Sequence, residues 1–206
     1  QWCLTLDEWK NQFSKWVRSP EPDALLNASI FFDFRALFGN AELAEQMRRF
    51  LLTATGGNSL FLQSMARNAL SVAPPLGTIR DFITDLEPGN PGKIDLKKYG
   101  SRIFVDVARI YALATGVHNT NSVQRLRIAS KRLAIRDEEV NAVLDGLDFI
   151  QLLRLRHQYL ENKPGVQGDN LIDPGDLNEL DRRVLKESFR QARKLQTRLK
   201  LDYQVH

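Results

Sequence analysis

The sequence has a single cysteine and three histidines among its 206 residues. The lone Cys3 excludes a disulfide framework, and without a CxxC motif or a Cys/His cluster we expect no structural zinc site. No uninterrupted apolar run reaches the roughly 20 residues that a membrane-spanning helix requires. The scarcity of cysteine indicates a reducing compartment, and the lack of a long apolar run argues against a membrane partner. We therefore expect a cytoplasmic location.

The motifs of several common enzyme classes are missing as well. The sequence contains no GxSxG, HExxH or Asp-x-Asp pattern. Residues 88–93, PGNPGK, come nearest to a phosphate-binding loop, but they lack its first glycine and the Ser or Thr that follows its lysine. A tight turn is the better interpretation. We therefore expect neither a catalytic residue nor a metal site in this chain.

Apolar residues recur at helical spacing through most of the chain. Thr5 and Glu8 form a capping box that begins the first helix, and Asp173 followed by Pro174 is a start signal for the last one. The pattern changes over 78–97, where short alternating runs flank the turn-rich EPGNPG. The sequence predicts a mainly α fold, a bundle of six to seven helices with one small β-hairpin near 78–97.

The balance of charge argues against a nucleic-acid partner. The formal net charge is only +4, and acidic residues are interspersed with basic ones in most segments. The last helix is rich in Lys and Arg, but Glu179, Asp181 and Glu187 interrupt its basic face, and no aromatic stacking platform accompanies it. We interpret that face as solvated and rank nucleic-acid binding as unlikely.

Charged residues interrupt some of the most apolar segments. Asp33 and Arg35 lie within SIFFDFR, Asp95 and Lys97 alternate on the strand-like IDLKK, and His157 follows an apolar helical stripe. Burying a lone charge costs several kcal/mol, so such residues either pair internally or face a solvent-filled cleft.

Whether internal pairing or a solvent-filled cleft is the better interpretation differs from one group of charges to the next. Arg102, Asp106 and Arg109 are spaced to meet on one helix face, and for them we favour an internal ion pair. For the helix end that carries His157, exposure to water and a binding wall are equally good interpretations. For the charges of SIFFDFR and IDLKK we favour a cleft, because convergence of such groups is typical of a ligand site.

Six segments occur in a defined order along the chain: SIFFDFRALFGN, APPLGTIRDF, IDLKKYGSRIFVDVARIYAL, QRLRIA, LLRLRHQ and DNLIDPGDLNELDRRVLKESFRQARKLQ. In this order they resemble the nucleotidyltransferase substrate-binding domain of bacterial proteins that also carry cyclic-nucleotide-binding or CBS domains. FFDFRALFGN and LLRLRHQ are also similar to segments of the enzymes that uridylylate the PII signal protein or adenylylate glutamine synthetase.

The resemblance implies a helical domain that follows a catalytic palm. In such enzymes a Gly-Ser turn followed by an Asp-x-Asp pair holds Mg²⁺ at the nucleoside triphosphate. This sequence has no such arrangement, so we expect the chain to be inactive alone and the intact enzyme to use Mg²⁺ and a nucleoside triphosphate. We expect the palm upstream, residues 1–38 as the helices leading out of it, and residues 39–206 as the substrate-binding bundle, in one continuous domain.

The leading hypothesis is the substrate-binding domain of a bacterial nucleotidyltransferase that modifies a protein or a small molecule. Its cleft is expected to be lined by Asp33, Arg35, Arg80, Asp95, Lys97 and His157. The cations would hold phosphate or an acidic acceptor surface, and the two carboxylates would orient cations or accept hydrogen bonds from sugar hydroxyls.

The expected partners are the upstream catalytic domain of the same polypeptide, a nucleotide and an unknown acceptor, and homodimer formation is left open. The alternative hypothesis is a non-catalytic helical module for regulation or dimerisation in a signal-transduction protein. In that module the same charges would be internal pairs.

Overall fold

The structure is a computed structural model that describes residues 2–77, 82–84, 86, 88–160 and 169–205. Eight α-helices lie in this part of the chain. They are α1 (Leu6–Arg18), α2 (Pro22–Phe31), α3 (Ala41–Gly56), α4 (Ser59–Ala69), α5 (Arg102–Thr115), α6 (Ser122–Arg132), α7 (Asp137–Leu160) and α8 (Glu179–Asp202). The two short strands are β1 (Ile94–Asp95) and β2 (Leu171–Ile172). The predicted mainly α class with one small antiparallel sheet is confirmed.

The strand pairing differs in one respect from the expected hairpin near 78–97. β1 pairs with β2, with Ile94 opposite Ile172, and the described residues 82–84 form no strand. Both isoleucines are buried, so this pairing gives β1 an apolar partner that residues 82–84, in irregular backbone, do not provide. Residues 78–81 lie outside the described residues.

The helix starts follow local capping chemistry. At α1 the predicted capping box is present, with Glu8 N donating to Thr5 Oγ1 and Thr5 N donating to the Glu8 carboxylate at 2.7 Å. The start predicted for the last helix at Pro174 is wrong. Asp173 caps only a single 3₁₀ turn there. Helix α8 begins at Glu179, and the side-chain oxygen of Asn178 accepts a hydrogen bond from Asp181 N, three residues on. A short-range cap can close one turn without starting a long helix.

The chain divides into two compact units. Unit 1 consists of Gln1–Ala69, Asp106–Ile135 and Lys200–His206, and unit 2 of Leu70–Val105 and Arg136–Leu199. The predicted division of the sequence at residues 38 and 39 stays a prediction. No helix among the described residues has the length and apolar character that crossing a membrane requires.

Unit 1 has a core rich in aromatic rings. α1 packs on α2 and α3, and the rings of Phe13 and Phe32 lie 4.8 Å apart between their centroids. Trp16 and Phe61 complete this buried group. The stripe that predicted α1 is therefore the face that α1 buries.

Unit 2 is built on the close approach of α7 and α8. A Cβ atom placed on Gly146 of α7 would lie 3.3 Å from the Cα atom of Ser188 on α8. The glycine lets the two backbones approach, while Ile150 and Phe189 pack around Gly100, just before α5. Backbone atoms cannot withdraw as a flexible side chain can, so this contact sets how closely the helices pack.

Replacing Gly146 with leucine should lower the free energy of unfolding by about 1–3 kcal/mol, the usual cost of overpacking a filled core. Urea denaturation followed by circular dichroism measures this loss. Asp145→Leu, at an exposed position of the same helix, is the matched control and should change stability little. Equal stability of the two variants would contradict the close approach.

Candidate functional site

Asp33 lies directly after α2 and forms ion pairs with two later helices. Its Oδ2 atom accepts hydrogen bonds from Nη2 of Arg109 on α5 at 2.8 Å and from Nε of the same residue at 3.2 Å. Its Oδ1 atom lies 2.6 Å from Nη2 of Arg125 on α6. Phe32 is buried in the aromatic core, so the chain enters this turn with the carboxylate aimed at both guanidinium groups.

These ion pairs are largely shielded from solvent. The side chains of Arg109 and Arg125 are only 7% and 2% exposed, and that of Asp33 is 27% exposed. Burial alone would raise the pKa of Asp33, but the charges and hydrogen bonds of the two arginines outweigh it and hold the pKa below its ordinary value. Asp106 adds a second carboxylate, 2.8 Å from Arg109 Nη1. Of Arg102, Asp106 and Arg109, for which an internal ion pair was predicted, Asp106 and Arg109 form one.

A third buried arginine lies close by. Arg48 on α3 donates from Nη2 to the carbonyl of Phe34, and its guanidinium carbon lies 4.6 Å from the centre of the Phe34 ring. Burial lowers its pKa, and the positive charge of Arg125 lowers it further. Asp33, Arg48, Arg109, Arg125 and Asp106 are called the arginine cluster below.

Arg35 takes no part in this cluster. Its side chain is exposed, and no ion pair joins it to Asp33. The two charges of SIFFDFR therefore have different surroundings, one tied into unit 1 and one facing solvent. Their proposed roles toward a substrate stay predictions.

Unit 2 contains a polar cleft of about 370 Å³. Its walls come from the turn before β1, the end of α7, β2 and the segment leading into α8. The lining residues are Lys93, Leu153, Arg156, His157, Leu171, Ile172, Asp173, Asp176, Leu177, Asn178 and Asp181. Four separate parts of the chain thus converge on this cleft, and His157 is the one lining residue that the sequence predicted.

Two side-chain hydrogen bonds join the end of α7 to Asn170, the residue before β2. Arg154 Nε and Gln158 Nε2 both donate to the side-chain oxygen of Asn170, at 2.9 and 3.2 Å. The main-chain oxygen of Asn170 accepts a hydrogen bond from Leu96 N at 2.9 Å. The helix end that could have emerged into water is therefore bound to the small sheet.

His157 and Arg156 each face a carboxylate in this region. His157 Nε2 lies 3.1 Å from Asp169 Oδ1, and Arg156 Nη1 lies 3.2 Å from Asp181 Oδ2. Burial would raise the pKa of Asp169, but the Leu171 N–H and His157 hold it below its ordinary value. The cleft thus combines cations and anions, which suits a ligand with phosphate and hydroxyl groups on one small molecule.

Asp95 ends β1, and Lys97 follows it by two residues. Asp95 Oδ1 accepts hydrogen bonds from the backbone N–H groups of Lys97 and Lys98, at 2.8 and 2.9 Å, and so begins a π-helical segment, Lys97–Ser101. The side chain of Lys97 is exposed. Arg80 lies outside the described residues. Whether all six predicted residues serve one substrate stays a prediction.

Sequence reasoning missed Arg125 and Lys93. Arg125 lies one turn before the buried Ala129, so it occupies the apolar face of α6 and could have been found as another charge in a core stripe. Lys93 ends the PGNPGK turn, and only the tertiary contacts bring it beside His157.

A family model described as "Putative nucleotidyltransferase substrate binding domain" matches residues 59–203. The chain belongs to this family. The polar cleft lies wholly inside the matched range, as do Arg109 and Arg125, whereas Asp33 and Arg35 precede it. No curated protein and no solved structure matches the chain.

Asp33→Ala should destabilise unit 1 by about 2–4 kcal/mol, because it removes a counter-charge from two buried arginines. The partial exposure of Asp33 keeps the expected loss below that of a fully buried partner. Trp2, Trp9 and Trp16 all lie in unit 1, so urea unfolding followed by tryptophan fluorescence reports on it. Arg35→Ala, two residues away and exposed, should stay within about 0.5 kcal/mol of the unsubstituted protein. Similar losses in both variants would refute the role of this carboxylate.

The contribution of Asp33 should also depend on pH. Because its folded-state pKa is depressed, its stabilisation is fully present above the unfolded pKa of about 3.9 and is lost as pH falls through the folded pKa. The difference in unfolding free energy between the unsubstituted protein and Asp33→Asn should therefore hold constant from pH 7 to about 5 and shrink in stronger acid. Urea titrations across this range measure it, and a difference that persists undiminished at pH 2 would contradict the pairing.

Proposed function

We propose that this chain is the substrate-binding helical part of a bacterial nucleotidyltransferase. Its catalytic palm lies elsewhere in the same polypeptide and transfers a nucleotidyl group to a protein or a small molecule in the cytoplasm. The observation that carries this proposal is the polar cleft of unit 2, which lies within the part of the chain that matches the family.

The chemistry of the cleft supports a phosphorylated, hydroxylated substrate. Lys93 and His157 supply donors that can meet phosphate oxygens, and Asp173 and Asp176 supply acceptors for hydroxyl groups. Asp173 already accepts a hydrogen bond from Gly175 N at 2.7 Å, so its carboxylate is held in a fixed orientation. A preorganised acceptor loses less entropy on binding than a mobile one.

The metal of the reaction is assigned to the palm. Among the described residues, no three His, Cys, Asp or Glu side chains are grouped so that they could hold a metal ion. Mg²⁺ held by the palm would neutralise charge at the nucleoside triphosphate. The task of these residues is to bind and orient the substrate, while the exposed Arg35 and Lys97 are proposed to meet phosphate or an acidic acceptor surface.

A regulatory or dimerisation module is the second candidate. Leu152, Leu155 and Tyr159 are exposed on α7 at spacings of three and four residues. Apolar residues at this spacing form a stripe that can pack against another helix. The module would need no transfer activity, which separates the two candidates experimentally.

Transfer should be measured with the full-length polypeptide and each of the four nucleoside triphosphates, labelled at the α-phosphate. His157→Ala and Lys93→Ala should each raise the KM for nucleotide or acceptor by about tenfold, which corresponds to losing one hydrogen bond to a charged group. Circular dichroism checks that each variant is folded.

The matched control is Arg182→Ala, an exposed cation on α8 that does not line the cleft. It should leave KM unchanged. Unchanged KM in both cleft variants would refute the substrate site, and a full-length protein that transfers none of the four nucleotides would favour the regulatory module.

A further inference from the structure

Unit 1 contains an apolar pocket of about 310 Å³ between α1, the end of α2 and the first two turns of α3. Its described lining residues are all apolar, and four of them are aromatic: Trp9, Phe13, Phe31 and Phe34. The half-exposed Trp2 extends this aromatic wall, because its ring centroid lies 4.6 Å from that of Phe31 and 5.9 Å from that of Trp9. An apolar surface of this kind is typical of an interaction site.

The segment 35–42 connects two walls of this pocket. Phe34 precedes the segment and Leu43 follows it, and both residues line the pocket. Within the segment, Leu37 is 85% exposed and Phe38 is fully exposed. Since each residue spans at most about 3.6 Å, the Cα atom of Phe38 lies within about 15 Å of that of Phe34. Unit 1 therefore presents an apolar projection, Leu37–Phe38, beside an apolar pocket.

The projection is anchored at both ends. Before it, the Phe34 carbonyl accepts a hydrogen bond from the buried Arg48. After it, Gly39 adopts a φ of +84°, and the side chain of Asn40 accepts a hydrogen bond from Glu42 N at 3.0 Å and caps α3. A segment fixed at both ends loses little conformational entropy when a partner binds it.

Placement and area favour a second copy of this chain as the partner. In a pair of copies related by a twofold axis every contact occurs twice, so a projection and a pocket on the same unit can fill each other reciprocally. Burying Phe38 alone removes about 200 Å² from solvent. With Leu37, Leu43, Trp2 and the pocket walls, two copies would bury roughly 1,200 Å², the lower end of the range for a stable interface.

We propose that unit 1 forms a twofold-symmetric dimer in which the Leu37–Phe38 projection of each copy enters the apolar pocket of the other. The pocket has room for both side chains of the projection. Because projection and pocket both belong to unit 1, this inference depends neither on the polar cleft nor on transfer activity.

Sedimentation equilibrium of the 206-residue chain, over about 1 µM to 1 mM, measures the association. The unsubstituted chain should dimerise with a dissociation constant in the micromolar range. Phe38→Asp should weaken the dimer by about a hundredfold or more, because a carboxylate enters an apolar pocket at an unfavourable free energy and does so in both copies. Since the Phe38 side chain is fully exposed, this variant should fold as well as the unsubstituted chain in dilute solution.

The matched control is Leu155→Asp, which places the same charge on the exposed apolar stripe of α7 in unit 2. It should leave the dissociation constant unchanged. A dimer that Leu155→Asp dissociates and Phe38→Asp preserves would assign the interface to α7 and overturn the proposal.

Ala44→Phe tests the pocket separately from the projection. Ala44 lines the pocket, so a larger side chain there fills the space while Phe38 stays available. This variant should also lose the dimer, with urea unfolding as the check that it is folded. An undiminished dimer in the folded variant would show that the projection does not enter the pocket.

The full-length polypeptide should dimerise in the same way and respond to Phe38→Asp. A chain that stays monomeric at every concentration overturns the proposal. A full-length polypeptide that stays monomeric overturns it as well, and that result assigns the pocket to a contact within the polypeptide.

Discussion

The Asp33 carboxylate is the contact on which the arrangement of unit 1 most depends. It joins the turn after α2 to α5 and α6 by pairing with Arg109 and Arg125, both buried. A buried guanidinium requires a counter-charge, so each arginine constrains where this turn can lie. The apolar core alone would not fix the turn, because hydrophobic contacts lack this directionality.

The two units use charge in different ways. In unit 1 the arginine cluster lies inside the packing, where its arginines bind the segment Asp33–Phe34 that follows α2. In unit 2 the side chains of His157, Lys93 and Asp173 line an open cleft within the range that matches the family. Binding groups in a cleft are free to exchange water for ligand, whereas buried charges are held by the partners that compensate them.

Local chemistry made much of the fold predictable from the sequence. The capping box at Thr5 and the apolar stripes allowed the helices to be predicted, because these signals act within one or two turns. The partner of β1 and the start of α8 at Glu179 were not predictable in this way, since pairing with Ile172 depends on burial of distant residues. The charges within SIFFDFR are evident from the sequence, but Arg109, the partner of Asp33, lies 76 residues further along the chain. Local patterns therefore could not identify the pair.

A double-mutant cycle between Asp33 and Arg125 tests the central claim most directly. The free energies of unfolding of Asp33→Asn, Arg125→Met and the double variant would be compared with that of the unsubstituted protein, using tryptophan fluorescence for unit 1. Direct pairing predicts a coupling energy of about 1–3 kcal/mol, because losing the second partner costs little once the first is gone. Additivity within about 0.5 kcal/mol would contradict it.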